Sequence, residues 1–370
     1  MKTVPAARRF VIGCGGTGGH IYPGIALARE LSLKGAEILF IGNRKGMEDS
    51  LVRNEGFDFS GIRVQKLYRS LSLSNLLFPF LLLSSTLSSL RIMRQFRPDG
   101  VICTGGFVSG PVALAAIILR LPLYFHESNS FPGLTTRWLA KYTRITFISF
   151  AKTAQRLRKT KTLNLGIPLA ERKTAEEVTD PSKLGLDPAK PILLVTGGSQ
   201  GSQAINAAVA GALPQILANG LQLIWQTGKS CYKEYSGKFS NQPGVFLFDF
   251  SPLLASYYKL AKLALTRAGA MTLSELETNR LPAILVPLPS AAENHQYYNA
   301  LVQQERGLAI LLKQSDLTPQ NLLDAIHGIL EKHAGYIFRL GQLAPNTASS
   351  DITRAILNDL DKENNHAWEN

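Results

Sequence analysis

Residues 9–35 read RFVIGCGGTGGHIYPGIALARELSLKG: a short apolar run, a glycine-rich turn from Gly13 to His20, and a stretch of helix length. A strand that enters a helix through glycines makes an anion site. The first backbone N–H groups of the helix point outward, and its dipole favours negative charge. Glycine suits such a turn because it accepts φ > 0 and lets a ligand approach the backbone closely. The pattern recurs in the second half, where PILLVT runs into GGSQGS (Gly197 to Ser202) and then into QAINAAVAGALPQIL. Two such units in one chain predict two α/β domains facing each other across a cleft.

The rest of the chain extends this reading. The first half alternates candidate strands (RFVIG, EILFIG, GVICT, LPLYFH, TFISF) with helix-length segments such as PVALAAIILR. The second half does the same with PILLVT, QLIWQT, VFLFDF, LALT and AILVP. That alternation predicts two mostly parallel sheets covered by helices. The stretch from Leu163 to Lys190, with three prolines and scattered charge, reads as the linker. A length of 370 residues suits two domains, and 45% hydrophobic residues suffice for their cores.

Cys14, Cys103 and Cys231 give neither a disulfide framework nor a metal-ligand spacing, so a reduced, cytosolic protein is expected. The start, MKTVPAARRF, lacks the apolar stretch of a signal peptide. The net charge of +13 calls for an anionic partner: nucleic acid, acidic phospholipid or a phosphorylated substrate. No nucleic-acid motif accompanies it, and aromatics are not interleaved with the basic residues, so no nucleic-acid partner is expected.

One segment departs from the alternation. Residues 71–90, LSLSNLLFPFLLLSSTLSSL, carry no charge. Asn75, Pro79 and seven Ser or Thr residues dilute the stretch, and its apolar centre is too short to span a bilayer. Arg63, Lys66 and Arg69 precede it; Arg91, Arg94 and Arg97 follow. An apolar patch rimmed by basic residues suits an anionic membrane surface, with Leu76, Leu77, Phe78, Phe80, Leu81 and Leu82 inserting and Arg69 and Arg91 among the headgroup contacts. The competing reading is a buried core helix.

Several ligands fit the glycine loops. Gly13, Gly15 and Gly18 match G-x-G-x-x-G, but EILFIG is followed by Asn43, Arg44 and Lys45, with no ribose-binding carboxylate before Glu48. A third glycine run, TGGFVSGP (Thr104 to Pro111), follows GVIC, so two adjacent loops could straddle a diphosphate or simply allow tight turns. In the second half, Thr272 and Glu275 have the spacing of a capping box, which makes Glu275 either a cap or a carboxylate for ribose hydroxyls. The loop with Glu293, Asn294, His295, Gln296 and Asn299 offers the mixed donors and acceptors that sugar hydroxyls need.

GGTGGH, GGFVSGP, HESNSFPG (His126 to Gly133), GGSQGS, RAGAMTLSE (Arg267 to Glu275) and HQYYNA (His295 to Ala300) together resemble, in order and spacing, the bacterial MurG family. The resemblance covers about residues 10 to 360. Its members are peripheral UDP-GlcNAc transferases that convert lipid I to lipid II in peptidoglycan synthesis, on the cytoplasmic face of the plasma membrane. The resemblance implies a GT-B fold, two Rossmann-like domains with a deep cleft. Residues 1–164 would form the acceptor and membrane domain, 165–345 the UDP-GlcNAc domain, and a C-terminal helix at about 346–362 would pack back on the first. It implies UDP-GlcNAc contacts from Ser199, Gln200 and Gly201, from Phe250 and Ser251 at the uracil, from Glu275 at the ribose, and from Gln296. Thr17, Gly18, Gly19, His20 and Asn129 would approach the donor from the other domain.

Gly15, Gly16, Gly105, Gly106 and Ser109 would hold the acceptor diphosphate. Other cell-wall synthesis or division proteins are implied as possible partners. The family reaction is an inverting attack by the MurNAc C4 hydroxyl. His20, at a helix start where the dipole favours neutral imidazole, is the candidate base, with His126 and Glu127 as competitors. No D-x-D motif is present, and neither metal nor cofactor is expected. The sequence departs from the family in two places: GIPLA (Gly166 to Ala170) replaces G-N-P-V-R, with Arg172 close by, and His126–Asn129 reads HESN rather than HEQN. The alternatives are a related GT-B lipid glycosyltransferase, a UDP-sugar epimerase, and a non-catalytic membrane scaffold.

Overall fold

The structure, a computed structural model, describes residues 7–65, 77–157, 159–169, 178–198, 200–251 and 253–367. The chain divides into two compact units, Met1–Glu171 with Asn346–Asn370, and Arg172–Pro345.

In the first unit seven strands form one sheet: β1 (Arg9–Cys14), β2 (Glu37–Asn43), β3 (Asp58–Ile62), β4 (Gly100–Gly105), β5 (Leu123–Glu127), β6 (Ile145–Ile148) and β7 (Thr162–Asn164). Their order is β3-β2-β1-β4-β5-β6-β7, and every pairing is parallel. The connections carry α1 (Gly18–Leu33), α2 (Met47–Asn54), α3 (Phe78–Phe96), α4 (Ser109–Ile118), α5 (Leu134–Leu139) and α6 (Ala151–Ala154). Both faces are covered, which is why β1 reads as an unbroken apolar run.

Successive side chains leave a strand on opposite faces. Phe10, Ile12 and Phe40 accordingly join Ile21, Ile25 and Leu31 of α1 in one core. Val11, Ile41 and Val101 join Val112 of α4 and Met93 of α3 in the other. The C-terminal helix (Ala348–Ala367) completes the first core through Ile352, Ile356 and Leu360. It is tethered by the Arg8–Asp361 ion pair and by Tyr124, whose hydroxyl donates to Asp359 at 2.8 Å.

The second unit has six parallel strands: β8 (Ile192–Thr196), β9 (Gln222–Gln226), β10 (Val245–Phe248), β11 (Leu263–Thr266), β12 (Ala283–Leu285) and β13 (Ala309–Leu311). They lie in the order β10-β9-β8-β11-β12-β13. Its helices are α7 (Gln203–Ala218), α8 (Tyr232–Phe239), α9 (Leu254–Leu260), α10 (Ala270–Thr278), α11 (His295–Glu305), α12 (Pro319–Glu331) and α13 (His333–Gly341). Trp225 is wholly buried among Val209, Tyr235 and Leu265 in a single core.

The expected linker starts too early. Leu163 lies in β7, and the N–H groups of Leu165 and Gly166 both donate to Ile148 O, at 3.1 and 3.3 Å. Ile167 O accepts from Asn346 Nδ2 at 3.1 Å. These bonds carry the first unit past residue 164 to Glu171.

Both sheets reverse their strand order beside the first strand, between β1 and β4 and between β8 and β11. At such a point the two following loops leave in opposite directions, and a crevice opens at the carboxyl ends of the strands.

Candidate active site

In the first unit the crevice lies between the loops after β1 and β4. Gly16 (φ +94°), Gly105 (φ +109°) and Gly106 (φ +80°) all occupy the left-handed region. A Cβ on Gly106 would overlap the Gly15 carbonyl oxygen, and one on Gly105 would lie 2.5 Å from Cδ2 of His20. The two loops therefore interlock, and the His20 imidazole rests on the second of them. Thr104 fixes this arrangement by donating its hydroxyl to His20 O at 2.7 Å. His20 is the third residue of α1; Gly18 and Gly19 are the first two. The N-cap Thr17 makes no side-chain cap, and its hydroxyl lies 3.3 Å from His20 Nδ1.

Ser109 belongs beneath this loop rather than on it. It is buried, accepts from Gly105 N at 3.1 Å and donates to Gly105 O at 2.8 Å. A hydroxyl used this way shapes the turn and is not available to the diphosphate expected there.

In the second unit the crevice lies between Gly197–Ser202 and the β11–α10 turn. Gly198 and Gly201 have φ of +88° and +82°. Gly201 packs against the backbone of Thr227 and Gly228 so closely that a Cβ would overlap Thr227 O. Ser202 caps α7 by accepting from Ile205 N at 3.3 Å. Ser199, the expected phosphate contact, lies outside the described residues, as do Lys66, Arg69, Leu76 and Arg172.

Glu275 is not a cap. α10 begins at Ala270 with Gly269 as its N-cap, so Thr272 and Glu275 are interior helical residues. The small residues Ala268 and Gly269 let the helix start earlier than the Thr-x-x-Glu spacing suggests. Half-buried Glu275 accepts from the hydroxyl of buried Tyr258 at 3.2 Å, which orients its carboxylate. Gln296, the second residue of α11, accepts from Leu288 N at 2.9 Å. Buried Asn299 donates to Ala268 O at 3.2 Å and so holds the β11–α10 turn. Phe250 is half exposed beside the Lys229 ammonium, 5.8 Å from its ring centre. The Ser251 hydroxyl accepts from Leu253 N at 3.0 Å.

The two competitors of His20 are internal. His126 is buried, with Nε2 3.0 Å from Gly166 O and Nδ1 3.3 Å from Ser128 Oγ. Burial pushes its pKa down to about 4. Glu127 accepts from Asn129 N (3.1 Å), Asn129 Nδ2 (3.2 Å), Gly133 N (3.0 Å) and Thr136 Oγ1 (2.8 Å). Burial raises its pKa and these four bonds oppose the rise. Its lone pairs are spent on shaping the loop that presents Asn129, so neither residue is placed to take a substrate proton.

From Phe78 onward the charge-free segment forms the front of α3, an amphipathic helix with its polarity reversed. Ser85, Thr86 and Ser89 are buried toward α4, and their hydroxyls donate to carbonyls three or four residues back. Leu77, Phe80 (71% exposed), Leu83 (59%) and Leu87 (57%) face outward, and exposed Arg91 ends the stripe. Phe78, Leu81 and Leu82 are half-buried, so Leu83 and Leu87 replace them in the exposed set. Among the described residues no helix is long and apolar enough to cross a membrane.

Residues 10–148 match the glycosyltransferase family 28 N-terminal domain, and residues 192–339 match the glycosyltransferase family 28 C-terminal domain. The chain is 34% identical to the UDP-N-acetylglucosamine–N-acetylmuramyl-(pentapeptide) pyrophosphoryl-undecaprenol N-acetylglucosamine transferase of Exiguobacterium sibiricum, over 96% of this chain and all of that one. It is 36% identical to the protein of the same name from Desulfitobacterium hafniense, over 95% and 98%. The chain belongs to the MurG family of glycosyltransferases. The crystal structure of Acinetobacter baumannii MurG superposes with a TM-score of 0.75 at 26% identity, over 95% of this chain and 99% of that one. The fold is GT-B. A putative UDP-N-acetylglucosamine 2-epimerase from Listeria monocytogenes shares that fold at a TM-score of 0.67 but only 13% identity.

Several residues around the crevices have no signature in the sequence. Arg267, at the end of β11, donates to Ser202 Oγ (2.7 Å), Gln314 Oε1 (2.8 Å), Val286 O (3.1 Å) and Pro287 O (3.2 Å). It joins the two loops of the second crevice, and burial lowers its pKa. Buried Asn206 donates to Thr227 O at 2.9 Å and accepts from Trp225 Nε1 at 2.9 Å, which presses Thr227–Gly228 onto Gly201. Tyr258 is distant in sequence from the glutamate it orients. Arg267 falls within the RAGA run, so the motif contains it without stating what it does.

Proposed function

We propose that this enzyme transfers GlcNAc from UDP-GlcNAc to the C4 hydroxyl of MurNAc in lipid I, forming lipid II. The carrying observation is the pair of switch-point crevices, each edged by a glycine loop at a helix N-terminus, in a chain related over nearly its whole length to transferases of that name.

The donor belongs to the second unit. The Gly197–Gly201 turn and the N-terminus of α7 receive the UDP phosphates, and Glu275 accepts hydrogen bonds from the ribose. Gln296 serves the sugar, and the uracil lies by Phe250 and Ser251. As the glycosidic C–O bond breaks, negative charge grows on the departing diphosphate, where fixed N–H groups stabilise it without reorganising.

The acceptor diphosphate belongs to the first unit, on the Gly15–Gly16 and Gly105–Gly106 loops. His20 stands beside them. When Nδ1–H donates to Thr17 Oγ1, Nε2 keeps its lone pair and takes the proton of the attacking hydroxyl. Direct displacement inverts the anomeric carbon. The exposed stripe of α3 and its basic end support peripheral docking on an anionic membrane, where the acceptor's polyprenyl tail remains.

The test is incubation of the full chain with UDP-GlcNAc and a lipid I analogue. Disaccharide-lipid and UDP should appear together, in equal amounts. Formation of UDP-ManNAc, or UDP release without acceptor, contradicts the assignment, and absence of turnover would favour a scaffold.

A further inference from the structure

The first unit contains a carboxylate that neither proposed substrate touches. Glu48, the second residue of α2, is 1% exposed. Its Oε1 accepts from Asn43 N at 2.8 Å. Its Oε2 is buried without a hydrogen-bond partner. Three glycines, one in the β1–α1 turn, one at the end of β2 and one in the β2–α2 turn, clear the space it occupies. A Cβ on Gly15 would lie 2.5 Å from Oε1, one on Gly42 would lie 2.6 Å from Cγ, and one on Gly46 would come closer still to Oε2. The carboxylate is thus wedged between the β1–α1 turn and the β2–α2 turn.

We infer that Glu48 is a positioning residue for the acceptor diphosphate: it sets the height and orientation of the Gly15–Gly16 turn. Simple filling does not account for it, because an apolar side chain of that length would occupy the chamber without leaving a carboxylate oxygen unpaired. The N-terminus of α2 supplies the partial positive charge that tolerates the anion there. Its charge reaches β1, where burial and Glu48 both raise the Cys14 thiol. The bond to Asn43 N secures one side of the wedge, and contact with Gly15 transmits its position to the loop. Because Gly15 and Gly16 present backbone rather than side chains, placement of the turn is their main means of recognition.

The inference rests on the reading that this loop takes the acceptor diphosphate. Transfer is measured on the full chain with donor and acceptor varied separately, for Glu48→Ala, Glu48→Asp, Glu48→Gln and the loop variant Gly16→Ala. Glu48→Ala should raise the acceptor KM by about ten- to a hundredfold, the scale of a small misplacement, and leave the donor KM unchanged. Glu48→Gln keeps the length and the Asn43 bond and should restore the acceptor KM. Glu48→Asp falls short of Asn43 and should not, which provides the test if the alanine variant fails to fold. Equal shifts in both KM values overturn the inference. So does a normal acceptor KM in Glu48→Asp while Gly16→Ala raises it, a result that spares the loop assignment. If Gly16→Ala also leaves the acceptor KM unchanged, the loop assignment fails and the inference with it.

Discussion

The two crevices share a topology and differ in what faces the glycines. In the first unit glycines stand on both sides, interlocked through Gly15 and Gly106, and the side chain of His20 lies across them. In the second, a glycine turn faces an arginine: Arg267 joins Ser202 to the carbonyls after β12, and Glu275 stands on the following helix. A crevice walled by glycine backbone suits a group recognised by charge and shape, such as a diphosphate. A crevice with a fixed carboxylate and amides suits a ligand with many hydroxyls. On the proposed reading the same switch point serves two chemistries, and the side chains opposite the glycines decide which.

The comparison breaks most sharply at His20. If it takes the acceptor proton, His20→Ala lowers kcat by about 10²–10⁴ and leaves the donor KM nearly unchanged. A loss smaller than about tenfold would remove it as the base. The second crevice is tested at Glu275. Glu275→Ala removes charge-assisted bonds worth about 1.5–3 kcal/mol each and should raise the donor KM accordingly. Thermal stability should fall by only about 1 kcal/mol, from the lost Tyr258 bond and not from a lost cap. Tyr258→Phe should raise the donor KM by a smaller factor, since it removes only the bond that orients the carboxylate. Equal effects of Glu275→Ala on both substrates would erase the distinction between the crevices.

His126 gives a pH signature confined to the first unit. Its pKa of about 4 lies below the ordinary 6.5, so between those values the unfolded chain binds a proton that the folded chain refuses. Its stabilising contribution is complete above pH 6.5 and falls toward pH 4, by up to about 1.4 kcal/mol per unit. Glu127, with its raised pKa, acts in the opposite sense. The measurement is therefore the difference between wild type and His126→Gln, whose gap should narrow as pH drops through this window. Parallel curves would contradict a buried, neutral His126. The smallest expected effect on turnover comes from α3. Replacing Phe80, Leu83 and Leu87 by serine should weaken binding to anionic vesicles and leave transfer to a short-chain acceptor unchanged. Normal vesicle binding with lower stability would make the stripe part of a core.

Much of this was legible in the sequence, because strand–glycine–helix runs are local. Five strands in each half announce themselves as apolar runs; β3 and β7 do not, being mixed in polarity, and neither does β13, a strand of three residues. The reversed helix was visible as a charge-free segment, but its outward face was not. Phe78 and Leu81 look as apolar as Leu83 and Leu87, and only the packing of Ser85 and Ser89 against α4 selects between them. The capping-box reading of Glu275 failed because Thr-x-x-Glu has the same spacing inside a helix as at its start. His126 and Glu127 looked catalytic because polar residues in a motif do. Their partners, Gly166 and Thr136, come from elsewhere in the chain.

The most direct test of the division of labour is hydrogen exchange on the full chain with and without UDP-GlcNAc. Exchange should slow at residues 197–202 and 267–275, with the amides of 104–110 protected only when an acceptor diphosphate is added. Protection of 104–110 by the donor alone, with 197–202 and 267–275 unaffected, would contradict this division.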